Sequence, residues 1–138
     1  MNENDTRALV ERLLQAFNAS DHEGMLNCLS EDVAHDSPGT ERQIGHDSFR
    51  WRLAEITRHF RMQIADAAIM TTPGGVRAAA EFTARGTYLS TLEGFPEAHE
   101  QSLQLPAGIF LDIDDDGLIS RLSICFDPKI LARNMNET

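Results

Sequence analysis

Residues 76–89 have the sequence VRAAAEFTARGTYL, in which small or apolar side chains occupy every second position. An alternation with a period of two predicts a β-strand that turns one face to a core and the other to solvent. Phe82 and Tyr88 share the apolar face, whereas Glu81 and Arg85 share the polar face. The segment therefore predicts a half-buried strand, whose apolar face needs helices packed over it.

Three more strands are predicted around this one. Residues 62–71 precede it and are joined to it by the turn at residues 73–75, Pro-Gly-Gly. Residues 102–113 and 118–126 follow, and the turn Asp-Asp-Asp-Gly at residues 114–117 connects them. Four consecutive strands with short connections predict an antiparallel meander.

The first half of the chain has helical periodicity instead. Leu9, Leu13 and Phe17 recur at the spacing of one helix face, and Asn4 or Asp5 is expected to cap this helix. The apolar spacing of the first helix thus predicts a core-facing stripe.

Shorter elements follow the first helix. Asp21 is expected to cap a short second helix, and Asp47 or Ser48 to cap a third one that begins after Gly45. Residues 31–36, between these helices, predict a short strand.

The order of elements predicts one α+β domain over residues 1–138, completed by a terminal helix at 128–135. In this arrangement a curved sheet, antiparallel or mixed, wraps around the N-terminal helices and forms a cone. The centre of such a cone is a pocket that can hold a small molecule.

Composition excludes several partners. The chain has 22 acidic and 12 basic residues, and its formal net charge of -10 disfavours binding to nucleic acid or to an anionic membrane surface. No apolar run approaches the roughly 18 residues that a membrane span needs, and the N-terminus lacks signal-peptide character. We expect a cytoplasmic protein in which Cys28 and Cys125 are reduced core thiols.

Several short strings carry a family resemblance. They are Ala16–Asp21 with Gly24 and Met25, Glu31–Asp36, Glu41-Arg42 with Gly45, Ala79–Phe82, Gly86–Leu89, Glu93–Ala98 and Leu105–Gly108. In these strings the chain resembles the nuclear transport factor 2-like (SnoaL-like) superfamily, and best its ketosteroid isomerase-related branch. The resemblance implies the cystatin-like α+β barrel of that superfamily and is weaker evidence for any one reaction.

Ketosteroid isomerase uses an aspartate base together with a tyrosine and a protonated aspartate that bind the developing oxyanion. The resemblance places Asp36 at the position of the base, but Leu13 and Gly108 at the positions of the two donors. One oxyanion donor alone can contribute about 10²–10³ in rate. Standard steroid isomerisation is therefore not expected.

His35 and Asp36 are the candidate acid–base groups. Adjacent residues of a strand face opposite ways, and Asp36 shares its face with Ala34, which favours Asp36 as the pocket group. Burial there would raise its pKa towards neutrality and suit it to proton abstraction. Alternatively, Asp36 only caps the turn at residues 37–39, and His35 is the second candidate.

Tyr88 is the third candidate catalytic residue, because a lone phenol could supply a donor that Leu13 does not. It could equally be a core aromatic residue with its hydroxyl at the rim. The residues predicted to line the pocket are Leu13, Phe17, Phe82, Gly108, Phe110, Leu122, Ile124 and Phe126. No metal-ligand spacing occurs in the sequence, and we expect neither metal nor cofactor.

Two functions remain open from the sequence. One is an acid–base enzyme of isomerase, dehydratase or cyclase type that acts on a small apolar ligand with Asp36 as base. The other is a non-catalytic ligand-binding or assembly module. An empty, polar-tipped cavity favours the first, whereas a cavity plugged by Phe82, Tyr88, Phe110 and Phe126 favours the second. In both cases we expect a homodimer joined through the outer face of the sheet.

Overall fold

The computed structural model of the chain describes residues 1–137. The helices within that range are α1 Glu3–Asn18, α2 His22–Leu26, α3 His46–His59 and α4 Pro128–Asn136. The strands are β1 Leu29–Asp36, β2 Gln43–Ile44, β3 Phe60–Thr71, β4 Arg77–Tyr88, β5 Ser102–Ile113 and β6 Ile119–Phe126. These bounds agree with the predicted elements to within a few residues, apart from β2, which is too short to leave a sequence signal.

All six strands form one sheet in the order β2-β1-β6-β5-β4-β3. Strands β3 to β6 form the predicted antiparallel meander, and β1 joins β6 in parallel, so the sheet is mixed. The pairing of β3 with β4 is interrupted between Ala65 and Ala68, where Asp66 has a φ of 56°. A bulge of this kind bends its strand, and it contributes to the predicted curvature of the sheet.

The core lies between the concave face of the sheet and helices α1 and α3. Alternate residues of β4, among them Ala80 and Phe82, are buried against Leu9 and Leu13 of α1. Full burial of one such large apolar side chain contributes about 1.5–3 kcal/mol to folding. The predicted half-buried strand and the predicted apolar helix stripe therefore pack against each other.

Polar contacts attach one end of α1 to the turn between β3 and β4 and the other end to β3. The Thr6 hydroxyl donates to the carbonyl of Gly75 over 2.6 Å, and the Asn18 side chain bonds both the N–H and the carbonyl of Ile64. These contacts hold the helix in one orientation against β3 and β4.

Two of the predicted helix caps are wrong. Helix α1 begins after Asn2, whose side chain accepts from the N–H of Asp5, and the Asp5 carboxylate accepts from the N–H of Asn2 in return. Helix α3 is preceded by Gly45 at a φ of 100° and has no side-chain cap, because the Ser48 hydroxyl donates to nearby carbonyls instead. The predicted Asp21 cap of α2 is confirmed.

Tyr88 belongs to a second apolar cluster, with Leu103 and Met135, at the end of the sheet covered by α4. Its ring is fully buried, and its hydroxyl donates to the Pro96 carbonyl at 2.6 Å and accepts from the Leu92 N–H at 2.9 Å. Tyr88 is thus a core aromatic residue, but its hydroxyl is buried under the loop at residues 89–101 rather than placed at a pocket rim.

The two cysteines have different surroundings. Cys28 is buried, as predicted, whereas Cys125 is exposed on the outer face of β6, so the expectation of a core thiol is wrong for Cys125. The reason is the alternation of β6, in which Leu122, Ile124 and Phe126 take the inner positions. Within residues 1–137, no helix is long and apolar enough to cross a membrane.

Candidate functional site

Helices α1 and α3 and the concave face of the sheet enclose a cavity of about 170 Å³. All four strands of the meander and the single residue Met25 of α2 also contribute to its wall. Except for one arginine, the lining side chains that the structure describes are aliphatic, aromatic or methionine. A site of this composition is suited to an apolar molecule with few polar groups.

Six of the eight residues predicted to line the pocket do so. They are Leu13, Phe17, Phe82, Leu122, Ile124 and Phe126. Gly108 and Phe110 do not, because Ala107 and Ile109 of β5 face inward and their neighbours therefore face out. Phe110 is 49% exposed on the outer face of the sheet.

The aromatic side chains leave the cavity open. Phe82 and Phe126 form part of its wall, whereas Tyr88 and Phe110 lie elsewhere in the molecule. The four residues proposed to plug the cavity therefore do not come together there. An open apolar space of this kind is the arrangement expected for a protein that binds an apolar ligand.

Arg52 of α3 is the one polar residue among the described lining residues, and only the apolar part of its side chain borders the cavity. One guanidinium nitrogen donates to the Ser37 hydroxyl, and longer contacts of 3.3 and 3.4 Å reach the Thr40 hydroxyl. The third nitrogen, Nε, is buried and has no partner. Burial lowers the pKa of the guanidinium, and the Asp36 carboxylate opposes that shift. Arg52 was not singled out in the sequence, although it lies three residues after Phe49, on the same apolar stripe of α3.

His35 lies on the inner side of β1, next to the cavity wall. It is 1% exposed, its ring stands at 89° to that of Phe49 with centroids 5.1 Å apart, and its Nε2 is 2.8 Å from the Ser48 hydroxyl. Burial first, and then the charge of Arg52, lower the pKa of the imidazole. The ring is therefore neutral near pH 7, and its Nδ1 is buried with no partner.

Asp36 points away from the cavity, so its predicted placement in the pocket is wrong. Its carboxylate accepts from Arg42 at 3.0 Å and lies beside Ser123 on the opposite face of the sheet. The Ser123 hydroxyl, followed by Arg42 and Arg121, lowers the pKa of Asp36 although its partial burial acts in the other direction. A base that works near neutral pH needs the opposite shift.

The alternative role of Asp36, capping the following turn, is not observed either. The N–H of Ser37 donates to the Thr40 hydroxyl at 3.2 Å, so the side chain that stabilises the turn comes from Thr40 and not from Asp36. The alternation of β1 does indicate which of its residues face the core. Val33 is fully buried, and residues two apart on a strand share a face, so His35 follows Val33 inward.

The structure shows no group of three or more His, Cys, Asp or Glu side chains that could hold a metal ion within residues 1–137.

Comparison with known proteins gives one family and several structures. The family described as SnoaL-like domain matches residues 10–122. None of the curated proteins compared with the chain matches it.

Two similar crystal structures are provisionally named polyketide cyclases. The one from Xanthomonas campestris is 33% identical, with a TM-score of 0.95, and the match covers 99% of this chain and 100% of that one. The one from Silicibacter sp. is 40% identical, with a TM-score of 0.90 and 97% of both chains covered. A nuclear transport factor 2-like protein of unknown function from Burkholderia pseudomallei is 19% identical, with a TM-score of 0.81 over 96% of this chain and 98% of that one, and shows the fold alone.

Proposed function

The chain belongs to the SnoaL-like domain family, and from this premise we propose that it binds a small, largely apolar organic molecule with an oxygen held by Arg52. The family and the cone-shaped α+β fold agree with the resemblance seen in the sequence. The class of ligand and the reaction are what we propose.

The buried Nε of Arg52 is the observation that carries the proposal. A buried donor without a partner costs about 1–3 kcal/mol, and more when the group is charged. An oxygen atom of a bound molecule would remove this cost once the Arg52 side chain turns its Nε towards the cavity, whose wall otherwise offers only apolar contacts. The favoured ligand is an aromatic or alicyclic ring that carries a carboxylate, phenol, enol or carbonyl oxygen.

The volume of the cavity limits the size of the ligand. At about 170 Å³ the space is close to that of an apolar cavity of about 150 Å³ that binds benzene. It is smaller than the roughly 300 Å³ at which pockets for drug-sized ligands begin. A single ring fits directly, and a larger ligand requires wall side chains such as Phe17 or Phe126 to move.

Acid–base catalysis of the cyclase type is the reaction we favour among the isomerase, dehydratase and cyclase reactions left open above. The provisional names of the two relatives support it, because these proteins are 33% and 40% identical to this chain over nearly its whole length. Arg52 supports it as well, since a guanidinium can stabilise an enolate oxygen. A protein that binds its ligand without catalysis is the alternative.

We also propose a homodimer joined through the outer face of the sheet. Met70 of β3, Ala79 of β4 and Phe110 of β5 are direct cross-strand neighbours on that face. Met70 and Phe110 are 51% and 49% exposed, so they form an apolar row that a second copy could cover.

Binding of two ring compounds of similar size tests the proposal for the cavity. Benzoate carries an anionic oxygen and toluene does not, and both can be titrated while amide and methyl NMR signals are recorded. We expect both to shift signals of cavity residues. Replacement of Arg52 by Met should weaken benzoate binding by about 10-fold or more and leave toluene binding unchanged.

Arg50→Met is the matched control, because Arg50 lies on the same helix, is exposed and contacts Glu23 and Asp47 at the surface. This variant loses the same charge and should bind benzoate as the unmodified protein does. Equal benzoate affinity of the Arg52 and Arg50 variants, or shifts confined to the outer surface, would contradict the proposal.

A further inference from the structure

The wall of the cavity includes a junction between α1 and β3. Phe17, near the end of α1, and Ile64 of β3 both line the cavity, and both are half-buried. Strand β3 is the last strand of the sheet and pairs only with β4, so its other edge is free of strands. In the described part of the chain, no backbone-to-backbone hydrogen bond joins α1 to β3. The distance between these two parts of the wall therefore depends on side chains.

Asn18, the last residue of α1, makes the hydrogen bonds that close this junction. Its Oδ1 accepts from the N–H of Ile64 at 2.7 Å, and its Nδ2 donates to the carbonyl of the same residue at 3.0 Å. The backbone carbonyl of Asn18 in turn accepts from Gln63 Nε2 at 3.0 Å. A side-chain amide, which has both a donor and an acceptor, thus takes the place of a neighbouring strand at this edge.

The other polar contact described between α1 and β3 lies beyond the bulge of that strand. Arg7 donates to the carbonyl of Ile69 at 2.8 Å, whereas the bulge lies between Ala65 and Ala68. Neither Arg7 nor Ile69 is among the described residues that line the cavity. Asn18 is therefore the residue that holds α1 to β3 at the cavity wall.

We infer that Asn18 determines the size of the ligand that the cavity accepts, by fixing the distance between Phe17 and Ile64. The inference rests on the proposed function and narrows its ligand class to compounds with a single ring. The cavity of about 170 Å³ holds one ring, so a larger ring system requires the wall to widen. Asn18 is not among the described lining residues, so it acts as a positioning residue for the wall.

The bonds of Asn18 resist widening at the place where the wall can open. Between the strands of the meander, backbone ladders prevent the wall from spreading. At the junction of α1 and β3, widening breaks both bonds between Asn18 and Ile64. Without the Asn18 amide, the N–H and carbonyl of Ile64 bond to water, which enters as the two elements separate. The cavity should then accept larger ligands, rather than bind all ligands more weakly.

Toluene and naphthalene provide the test, because both are apolar and they differ in having one ring or two fused rings. NMR titration gives the dissociation constant of each for the unmodified protein and for Asn18→Ala. We expect the unmodified protein to bind toluene more tightly than naphthalene. The ratio of the naphthalene constant to the toluene constant should fall by about 10-fold or more in the variant. Naphthalene should shift the signals of Phe17 and Ile64 most in that variant.

Thr6→Val is the matched control, because it removes a tether of the same helix at its other end. The buried Thr6 hydroxyl donates to the Gly75 carbonyl, and neither residue is among the described lining residues. This variant should be less stable but should keep the ratio of the unmodified protein. Asn18→Asp keeps an acceptor for the Ile64 N–H and loses the donor to the Ile64 carbonyl. It should lower the ratio less than Asn18→Ala does, and it provides the test if Asn18→Ala does not fold.

Three results would overturn the inference and leave ligand binding intact. One is an unchanged ratio in the folded Asn18 variants, including the case in which none of them binds naphthalene. The second is an equal fall of the ratio in Thr6→Val, which would show that any loosening of α1 has this effect. The third is equal affinity of the unmodified protein for toluene and naphthalene. Failure of the unmodified protein to bind toluene or benzoate would instead overturn the proposed function, and this inference with it.

Discussion

His35 and Asp36 are neighbours in β1, but their surroundings favour different charge states: a neutral imidazole and a charged carboxylate. Asp36 faces Arg42 and Ser123, which favour its charged form, whereas His35 is enclosed by Phe49 and Ser48 and is neutral. A carboxylate that is stabilised as an anion is a weak base. The neutral imidazole can accept a proton, but its burial and the charge of Arg52 oppose the charged form.

Asp36→Asn tests the structural role of this carboxylate. The folded-state pKa lies below the unfolded value, so the stabilisation is present above the unfolded pKa of about 3.9 and is lost as the pH falls through the folded one. We expect the variant to be less stable than the unmodified protein at pH 7 by about 1 kcal/mol or less.

The difference should shrink in acid, below the ordinary carboxyl pKa, and urea unfolding at neutral and acidic pH measures it. Asp32→Asn, an exposed position of the same strand, serves as the control. A variant that is more stable than the unmodified protein at pH 7 would indicate that Asp36 is a strained, buried charge after all.

Tyr88→Phe tests the second cluster. The substitution keeps the ring but removes the partner of the Leu92 N–H and of the Pro96 carbonyl. We expect a loss of about 1–3 kcal/mol in unfolding free energy, since these groups lose hydrogen bonds in a partly buried place. Amide hydrogen exchange in the loop at residues 89–101 should become faster, and unchanged exchange would show that Tyr88 does not hold this loop.

The strands position the site in two ways. Their side chains alternate between the two faces of the sheet, and the backbones of neighbouring strands approach each other closely. In β4, a Cβ atom built at Gly86 would collide with the Arg61 carbonyl of the neighbouring strand β3. In β5, a Cβ atom at Gly108 would lie 3.1 Å from the Ala80 carbonyl, a contact that a small shift relieves. A Cβ atom is therefore tolerated less well at Gly86 than at Gly108, although each glycine lies within a strand.

Gly86→Ala should consequently destabilise the protein more than Gly108→Ala does. For the first we expect at least the roughly 1–3 kcal/mol that is typical of overpacking, and for the second a clearly smaller loss. Thermal and urea unfolding of the two variants under the same conditions measures the difference. Equal losses would mean that β3 and β4 can separate locally without cost.

The position of Gly108 also determines whether substitutions can introduce the two oxyanion donors of ketosteroid isomerase that Leu13 and Gly108 do not supply. Leu13→Tyr places a hydroxyl at the cavity wall, but Gly108→Asp places its carboxyl on the outer face. We therefore expect no isomerisation of a 3-oxo-Δ5-steroid by the double variant or by the unmodified protein. The change in steroid absorbance measures turnover. Turnover at an enzymatic rate would show that another side chain supplies the donors.

At the scale of the whole molecule, the outer sheet face is the expected dimer interface. Light scattering at micromolar concentration should give about twice the chain mass of 15.4 kDa. Phe110→Glu places a charge in the exposed apolar row and should shift the protein towards the monomer, whereas Trp51→Glu, at a residue 64% exposed on α3, should not. A monomer for the unmodified protein would exclude this assembly.

The sequence by itself determined the elements and the family. Alternation in residues 76–89 and helical spacing in residues 9–17 are local patterns, set by how each side chain points from its own backbone. The strings that resemble the SnoaL-like superfamily extend over nearly the whole chain, and the fold followed from them. Six of the predicted residues line the cavity, because apolar positions with a regular period face the core.

Only the tertiary structure decided which polar groups lie near the cavity. A period of two separates His35 from Asp36 and Gly108 from Ala107, but it does not say which member of each pair faces inward. That choice depends on how β1 and β5 register with β6 and on where α3 packs. His35 and Arg52 are 17 residues apart in the chain, and they approach each other only because α3 lies across the inner face of β1. Their free nitrogens are a property of that packing, so no local pattern could reveal them.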